Sequence, residues 1–319
     1  FSMQFCIQYD TVLNEIYISS VCGVSGRLTA KAIGATCGHT SEEGACDRVG
    51  CSVRPPGLRI RCSPYVTGLC GDQRSQLTVP QEKLDQSVQC TPDVTPTSGK
   101  EAVLLVGGVG FGPYEAWSWG YAKALPREGF GVCTVAIPNH GRGDATIGAA
   151  YVVNAIRYAR EQSGRQVDVV AHSAGPALAL WAMRFWPDVA TSVDDMVVLA
   201  APIHGTLLAN AVCAVGFCPA LAHQLSYGSD FTAALNRAPL RSSISVTSIF
   251  SLFDEGIQPA REVSSYPGAA NIALQDHCPG RLVEHVTQMF DAAAYRLVID
   301  ALTHPGPAVP TRTARLCEG

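Results

Sequence analysis

At 319 residues, 47% of them hydrophobic and 16% charged, the chain is apolar enough to bury a large core, which excludes a disordered or low-complexity protein. A net charge of −4 with no run of Lys or Arg gives no electrostatic footprint for nucleic acid. No stretch reaches the roughly 20 consecutive apolar residues of a membrane span, so no transmembrane segment is predicted.

The first 76 residues carry Cys6, Cys22, Cys37, Cys46, Cys51, Cys62 and Cys70 among Gly, Ser and Pro, with apolar stretches too short to pack a core unaided. They read as a cysteine-rich extension stapled by disulfides, with one thiol of the seven left free or bonded elsewhere. A zinc site is the rival reading, but no Cys-x-x-Cys pair occurs. Thirteen cysteines in all point to an oxidising compartment, and the chain is expected to be secreted and extracellular, its leader removed ahead of Phe1. No Asn-x-Ser/Thr sequon adds independent support.

Residues 77–319 are predicted to form the catalytic domain, in which apolar runs alternate with helical patterns. Strands are predicted over 102–109, 131–137, 166–172, 196–201, 243–253 and 269–274, and helices over 114–125, 174–185 and 285–302. Between the second and third strands, Ile147, Tyr151, Val152, Ala155, Ile156 and Ala159 repeat at helical spacing. Alternation of this kind implies an α/β class: a mainly parallel sheet with helices on both faces, of the α/β-hydrolase type.

Val169-Val170-Ala171-His172-Ser173-Ala174-Gly175 runs from a strand through a tight turn directly into a helix. A backbone that reverses at Ser173 requires small residues two positions to either side, and Ala171 and Gly175 supply them. Ser173 is therefore the candidate nucleophile; the bland alternative is a helix-capping serine. A serine hydroxyl needs a base to take its proton and a carboxylate to orient that base. Asp254, at a strand's C-terminal end, is the candidate acid. Its neighbour Glu255 is the substitute, and the two leave the strand in different directions. Of His277, His285 and His304, which follow Asp254, His285 is preferred because it follows a Cys278-Pro279-Gly280 loop after the last strand and begins the closing helix. His172 is expected to line the substrate pocket. The amides of Ala174 and of Val109, in the run Val106-Gly107-Gly108-Val109-Gly110, are candidate oxyanion donors. That run lacks a following Lys-Ser/Thr, so it does not read as a phosphate cradle. The implied reaction needs no cofactor and no metal. The expected partner is an ester or lipid substrate, met in part by transient contact with a lipid interface.

With these residues placed, the region from about Leu77 to Ala308 resembles the fungal lipase B family. The resemblance runs in order through Val103-Leu104-Leu105-Val106-Gly107, Tyr151-Val152-Val153-Asn154-Ala155-Ile156, Ala201-Pro202, Gly205-Thr206 and Asp254-Glu255-Gly256-Ile257-Gln258-Pro259. It implies a lipase or carboxylesterase with Ser173, Asp254 and His285 as nucleophile, acid and base, and disulfides joining Cys90 to Cys133 and Cys278 to Cys317. Cys213 and Cys218 are five apart and could clip a short loop, or stay as two buried thiols in an apolar stretch. That stretch, 207–225, falls where the family carries lid-like helices.

The chain departs from the resemblance at three points: Val109 stands for a Thr whose hydroxyl would add an oxyanion donor, Ala174 for a Gln, and His172 for a Trp. Polyester or cutin hydrolysis and acyl transfer share the same machinery. A reading of another class is a binding protein that keeps the fold without turnover. The extension could also act as a propeptide over the site.

Overall fold

The computed structural model describes residues 77–241 and 243–318 with their side chains and, before them, the backbone of three strands. Contacts divide the chain into two units, Phe1–Gln73 and Arg74–Gly319. In the first, β1 (Phe5–Asp10), β2 (Glu15–Ser20) and β3 (Ser25–Thr29) form an antiparallel meander in that order. The cysteine pairing expected in the extension lies outside the described residues.

The second unit opens with α1 (Gln81–Asp85), β4 (Val88–Cys90), β5 (Ala102–Val106), α2 (Pro113–Trp117), α3 (Tyr121–Ala124) and β6 (Gly131–Val135). It continues through α4 (Ala145–Ser163), β7 (Val167–His172), α5 (Gly175–Phe185), α6 (Pro187–Ala190) and β8 (Val193–Leu199). The remaining elements are α7 (Leu207–Ala214), α8 (Ala220–Gln224), α9 (Asp230–Leu235), β9 (Ser245–Phe250), α10 (Ala260–Ser264), β10 (Ala270–Ala273), α11 (Leu274–His277) and α12 (Ala292–Thr303). Seven strands make one sheet in the order β10-β9-β8-β7-β5-β6-β4. All neighbours run parallel except the edge strand β4, which is antiparallel to β6.

Successive residues of a strand point to opposite faces, and in the inner strands both faces are dry. Leu104 and Val169 enter a core with Ile156 and Leu180 on one side. Leu105 and Val170 enter the other with Trp117 and Leu297. Helix α4 starts where the Asp144 carboxylate accepts the Thr146 N–H at 2.7 Å and stops at Gly164, whose φ of 65° a side chain would resist. Its Val152, Ala155, Ile156 and Ala159 are fully buried, the stripe that the periodicity predicts.

Three elements differ from the sequence reading. The helix predicted over 114–125 is split at Gly120, whose φ of −132° and ψ of −104° are not helical, into α2 and α3. The last helix begins at Ala292, not at His285, because Asp291 is extended and its Oδ1 caps Ala294 N–H at 2.9 Å. β4, only three residues long, carries no readable period. It nevertheless brings Cys90 into register with Cys133, and the two are disulfide-bonded. Cys213–Cys218 and Cys278–Cys317 are bonded as well.

Candidate active site

β7 is buried along its whole length and delivers the chain to Ser173 at the sheet's C-terminal edge. Ser173 has a φ of +60°, a left-handed conformation that costs a non-glycine residue free energy and that is held here by its surroundings. The turn is too tight for side chains nearby. A Cβ on Gly175 would sit 2.5 Å from the Val106 carbonyl oxygen, and one on Gly108 would sit 2.4 Å from the Ser173 Cβ. The small residues flanking Ser173 are thus a steric requirement of the elbow, and α5 starts at once behind it.

The chain leaves β9 at Phe250 and turns, with Asp254 N–H donating to the Ser251 carbonyl at 3.3 Å. This turn buries the Asp254 carboxylate, which is 1% exposed. Its Oδ1 accepts the amides of Gly256 at 2.9 Å and Ile257 at 2.8 Å. Its Oδ2 accepts Gln288 Nε2 at 2.8 Å and lies 2.9 Å from His285 Nδ1. On the other side of the ring, His285 Nε2 lies 2.8 Å from Ser173 Oγ. Glu255 points away from the imidazole, and its Oε2 accepts the backbone N–H of His285 at 2.9 Å. Residues 173, 254 and 285 therefore meet in one hydrogen-bonded line. His277 and His304 are not part of it: His304 bonds to Asp300 at the end of α12.

The amides of Val109 and Ala174 make no hydrogen bond among the described residues, and both residues line the cavity beside Ser173. That cavity holds about 600 Å³ and is walled by Leu208, Val212, Phe217, Leu225 and Ile257, with Arg142 bringing a guanidinium to its edge. α7 and α8 form its cover. They are clipped by Cys213–Cys218 and tied down where Thr206 Oγ1 donates to the Gly256 carbonyl at 2.7 Å. Leu207, Leu208, Val215 and Phe217 on this cover are each more than half exposed.

His172 does not line the cavity. It is the last residue of a buried strand, 2% exposed, and its Nε2 lies 3.0 Å from the His285 carbonyl. Burial, and then the neighbouring His285, push its pKa down to about 3. Two polar side chains of the site were given no role in the sequence reading, Gln288 and Thr206, the latter met there only as part of a motif. Gln288 lies three residues after His285, a spacing that would have flagged it had the segment been read as a 3-10 turn, as Thr287–Met289 is.

No protein-family model matches the chain. It is similar to the lipase B of Pseudozyma antarctica, at 26% identity over 246 residues covering 74% of this chain and 71% of that protein. Among solved structures it is similar to Aspergillus fumigatus lipase B, with a TM-score of 0.67 and 26% identity over 76% of this chain. The match spans 62% of that structure, less than two thirds of its length. A Bacillus licheniformis lipase in its propeptide form shares the fold alone, with a TM-score of 0.58 and 16% identity over 70% of this chain and 54% of that one. The chain has the α/β-hydrolase fold, and its resemblance to fungal lipase B extends over most of the second unit.

Proposed function

We propose that this carboxylic ester hydrolase is a secreted lipase or carboxylesterase that works through an acyl-enzyme on Ser173. The observation that carries the reading is the continuous line from Ser173 Oγ through the His285 ring to the Asp254 carboxylate, with contacts of 2.8 and 2.9 Å. In the resting state, Asp254 accepts the Nδ1 proton and so leaves the Nε2 lone pair facing the hydroxyl. As Oγ attacks the ester carbonyl, Nε2 takes its proton. The resulting oxyanion is met by the amides of Val109 and Ala174. The intermediate collapses when the imidazolium returns that proton to the departing alkoxide. Water then repeats the sequence on the acyl-serine and releases the acid, so each bond and proton is accounted for without a cofactor.

The apolar cavity fits the acyl chain or the alcohol part of an ester, and the exposed apolar cover fits transient contact with a lipid surface. Residues 77–319 form the catalytic domain in this reading, with 207–225 as its lid and 1–76 as an appended extension. Three disulfides in the described region and the similarity to a fungal lipase support secretion.

The test is a fluorescent alkyl phosphonate, which is attacked by an activated serine. Labelling of the wild type and none of Ser173→Ala is expected; equal labelling of both would overturn the assignment. Rates on p-nitrophenyl esters of increasing acyl length, with and without an emulsion, then separate lipase from esterase. A non-catalytic binding protein would leave every ester intact.

A further inference from the structure

The cavity beside Ser173 is walled by apolar side chains, and among the described residues Arg142 and His285 are the only ionisable groups that line it. His285 is spoken for by the ester chemistry, which leaves Arg142. Its guanidinium makes no hydrogen bond and no ion pair among the described residues. The carboxylate nearest to it in sequence, Asp144, is engaged elsewhere. Asp144 Oδ1 accepts the Thr146 N–H at 2.7 Å, the Thr146 hydroxyl at 2.6 Å and Gln224 Nε2 at 3.0 Å. Arg142 is exposed, so its charge stays hydrated while it waits for a partner.

The backbone that carries Arg142 is strained. Asn139 and His140 have φ of 53° and 52°, and Gly141 follows at 70°. Three successive left-handed residues, two of them with side chains, persist only where the surroundings hold them. Here the oxyanion loop does so: Gly110 N–H donates to the His140 carbonyl at 2.8 Å. A Cβ on Gly141 would press on the Gly108 carbonyl oxygen at 3.1 Å, and Gly108 itself packs against Ser173. The turn is therefore fixed to the loop beside the nucleophile, and two residues beyond Arg142 the Asp144 cap anchors the chain to α4. Arg142 Nη2 lies against Gly110, 3.9 Å from where a Cβ would stand.

We propose that Arg142 selects esters that carry a carboxylate at one end of an apolar body, an inference that rests on the ester-hydrolase reading of Ser173. Leu208, Val212 and Leu225 offer nothing to solvate a charge, so the part of the substrate inside the cavity is apolar. At the cavity edge, Arg142 presents a planar fork of donors that matches a carboxylate with two parallel hydrogen bonds. Apolar walls on one side strengthen that pairing, while water on the other leaves it open to screening by salt. The carboxylate can stand on the acyl part, as in a monoester of a dicarboxylic acid, or on the alcohol part.

Two anionic esters separate these cases. Mono-4-nitrophenyl suberate carries its carboxylate on the acyl part and is compared with 4-nitrophenyl octanoate; 4-carboxyphenyl butyrate carries it on the alcohol part and is compared with 4-nitrophenyl butyrate. The readout is the ratio of kcat/KM for the charged ester to that for its uncharged counterpart, measured on the full-length protein. Arg142→Leu is expected to lower this ratio about tenfold for one of the two pairs, mainly through KM, and Arg142→Lys to lower it less. The wild-type ratio for that pair is expected to fall as sodium chloride rises from about 10 to about 500 mM, and Arg142→Leu to lose this dependence. A ratio that Arg142→Leu leaves unchanged for both pairs would overturn the proposal. So would equal losses on charged and uncharged esters, which a merely structural role would give. A wild type that hydrolyses none of these esters would overturn the ester-hydrolase reading itself, and the proposal with it.

Discussion

The Nε2 of His172 stands 3.0 Å from the backbone carbonyl of His285, and the two imidazole rings lie 4.9 Å apart. A carbonyl oxygen only accepts, so Nε2 of His172 carries a proton and donates it. With its pKa pushed down to about 3 by burial and by His285, His172 stays neutral while it fixes the loop that carries the ring facing Ser173.

This burial has a cost in acid. The unfolded chain binds a proton at His172 near its ordinary value of 6.5, whereas the folded chain resists until about 3. Between these values the unfolded state holds more protons, so the stability tied to a neutral His172 is complete above pH 6.5 and drains away as pH falls toward 3. His172→Phe keeps a ring and removes the titration. Urea midpoints measured from neutral pH down to about pH 4 should fall less steeply in this variant than in the wild type. Its kcat should also drop, by about tenfold, with KM little changed, because the His285 carbonyl loses its donor. An unchanged acid slope would show that His172 does not titrate as described.

Asp254 and Glu255 are neighbours that divide two tasks, and their variants should separate accordingly. Asp254 faces Nδ1 of His285 at 2.9 Å and Glu255 holds the same residue's backbone N–H at 2.9 Å. Asp254→Asn presents an amide to Nδ1 and favours the wrong tautomer, so kcat should fall by about 10⁴. Glu255→Gln can still accept from the backbone, so its loss should stay within about tenfold. Steady-state rates on p-nitrophenyl butyrate distinguish them, and a larger loss at Glu255 would exchange the roles.

Much of this arrangement is legible in the sequence, for reasons that differ from residue to residue. Ser173 is readable because its elbow is local: strand, small residue, serine, small residue and helix are contiguous, and sterics demand that order. Asp254 and His285 are readable only with the fold in hand, through their order along the chain and their places after the last strands. Gln288 and the orientation of His172 are not readable, because the loop before α12 looks helical by composition and only the Asp291 cap delays the helix.

Val109 stands where the resemblance implies a threonine, and its side chain is exposed to the cavity while its amide makes no hydrogen bond among the described residues. Val109→Thr is nearly isosteric and adds a hydroxyl beside the forming oxyanion. A well-placed oxyanion donor is worth about 2.7–4 kcal/mol, but this hydroxyl must find its rotamer in a loop not shaped for it. A kcat gain of about tenfold is the expected outcome in stopped-flow or steady-state assays on a short-chain ester. A loss of activity would mean that the apolar contact of Val109 with substrate outweighs any added donor.

The cover over the cavity is apolar on its outer side as well as its inner one, a pattern that exposure to water alone does not favour. Val215 is 81% exposed and Phe217 70%, at the short loop between α7 and α8 that Cys213–Cys218 closes. Two exposed apolar side chains on a clipped loop can enter a lipid surface without unfolding the helices beside them, each contributing roughly 1.5–3 kcal/mol if fully buried there. The double variant Val215→Ser, Phe217→Ser should therefore lose at least tenfold in activity on emulsified triacylglycerol. On p-nitrophenyl acetate in solution, which needs no interface, it should keep the wild-type rate within a factor of about two to three, since Phe217 also touches the cavity wall. Parallel losses on both substrates would make the loop part of the pocket alone and remove the case for a lipid-facing role.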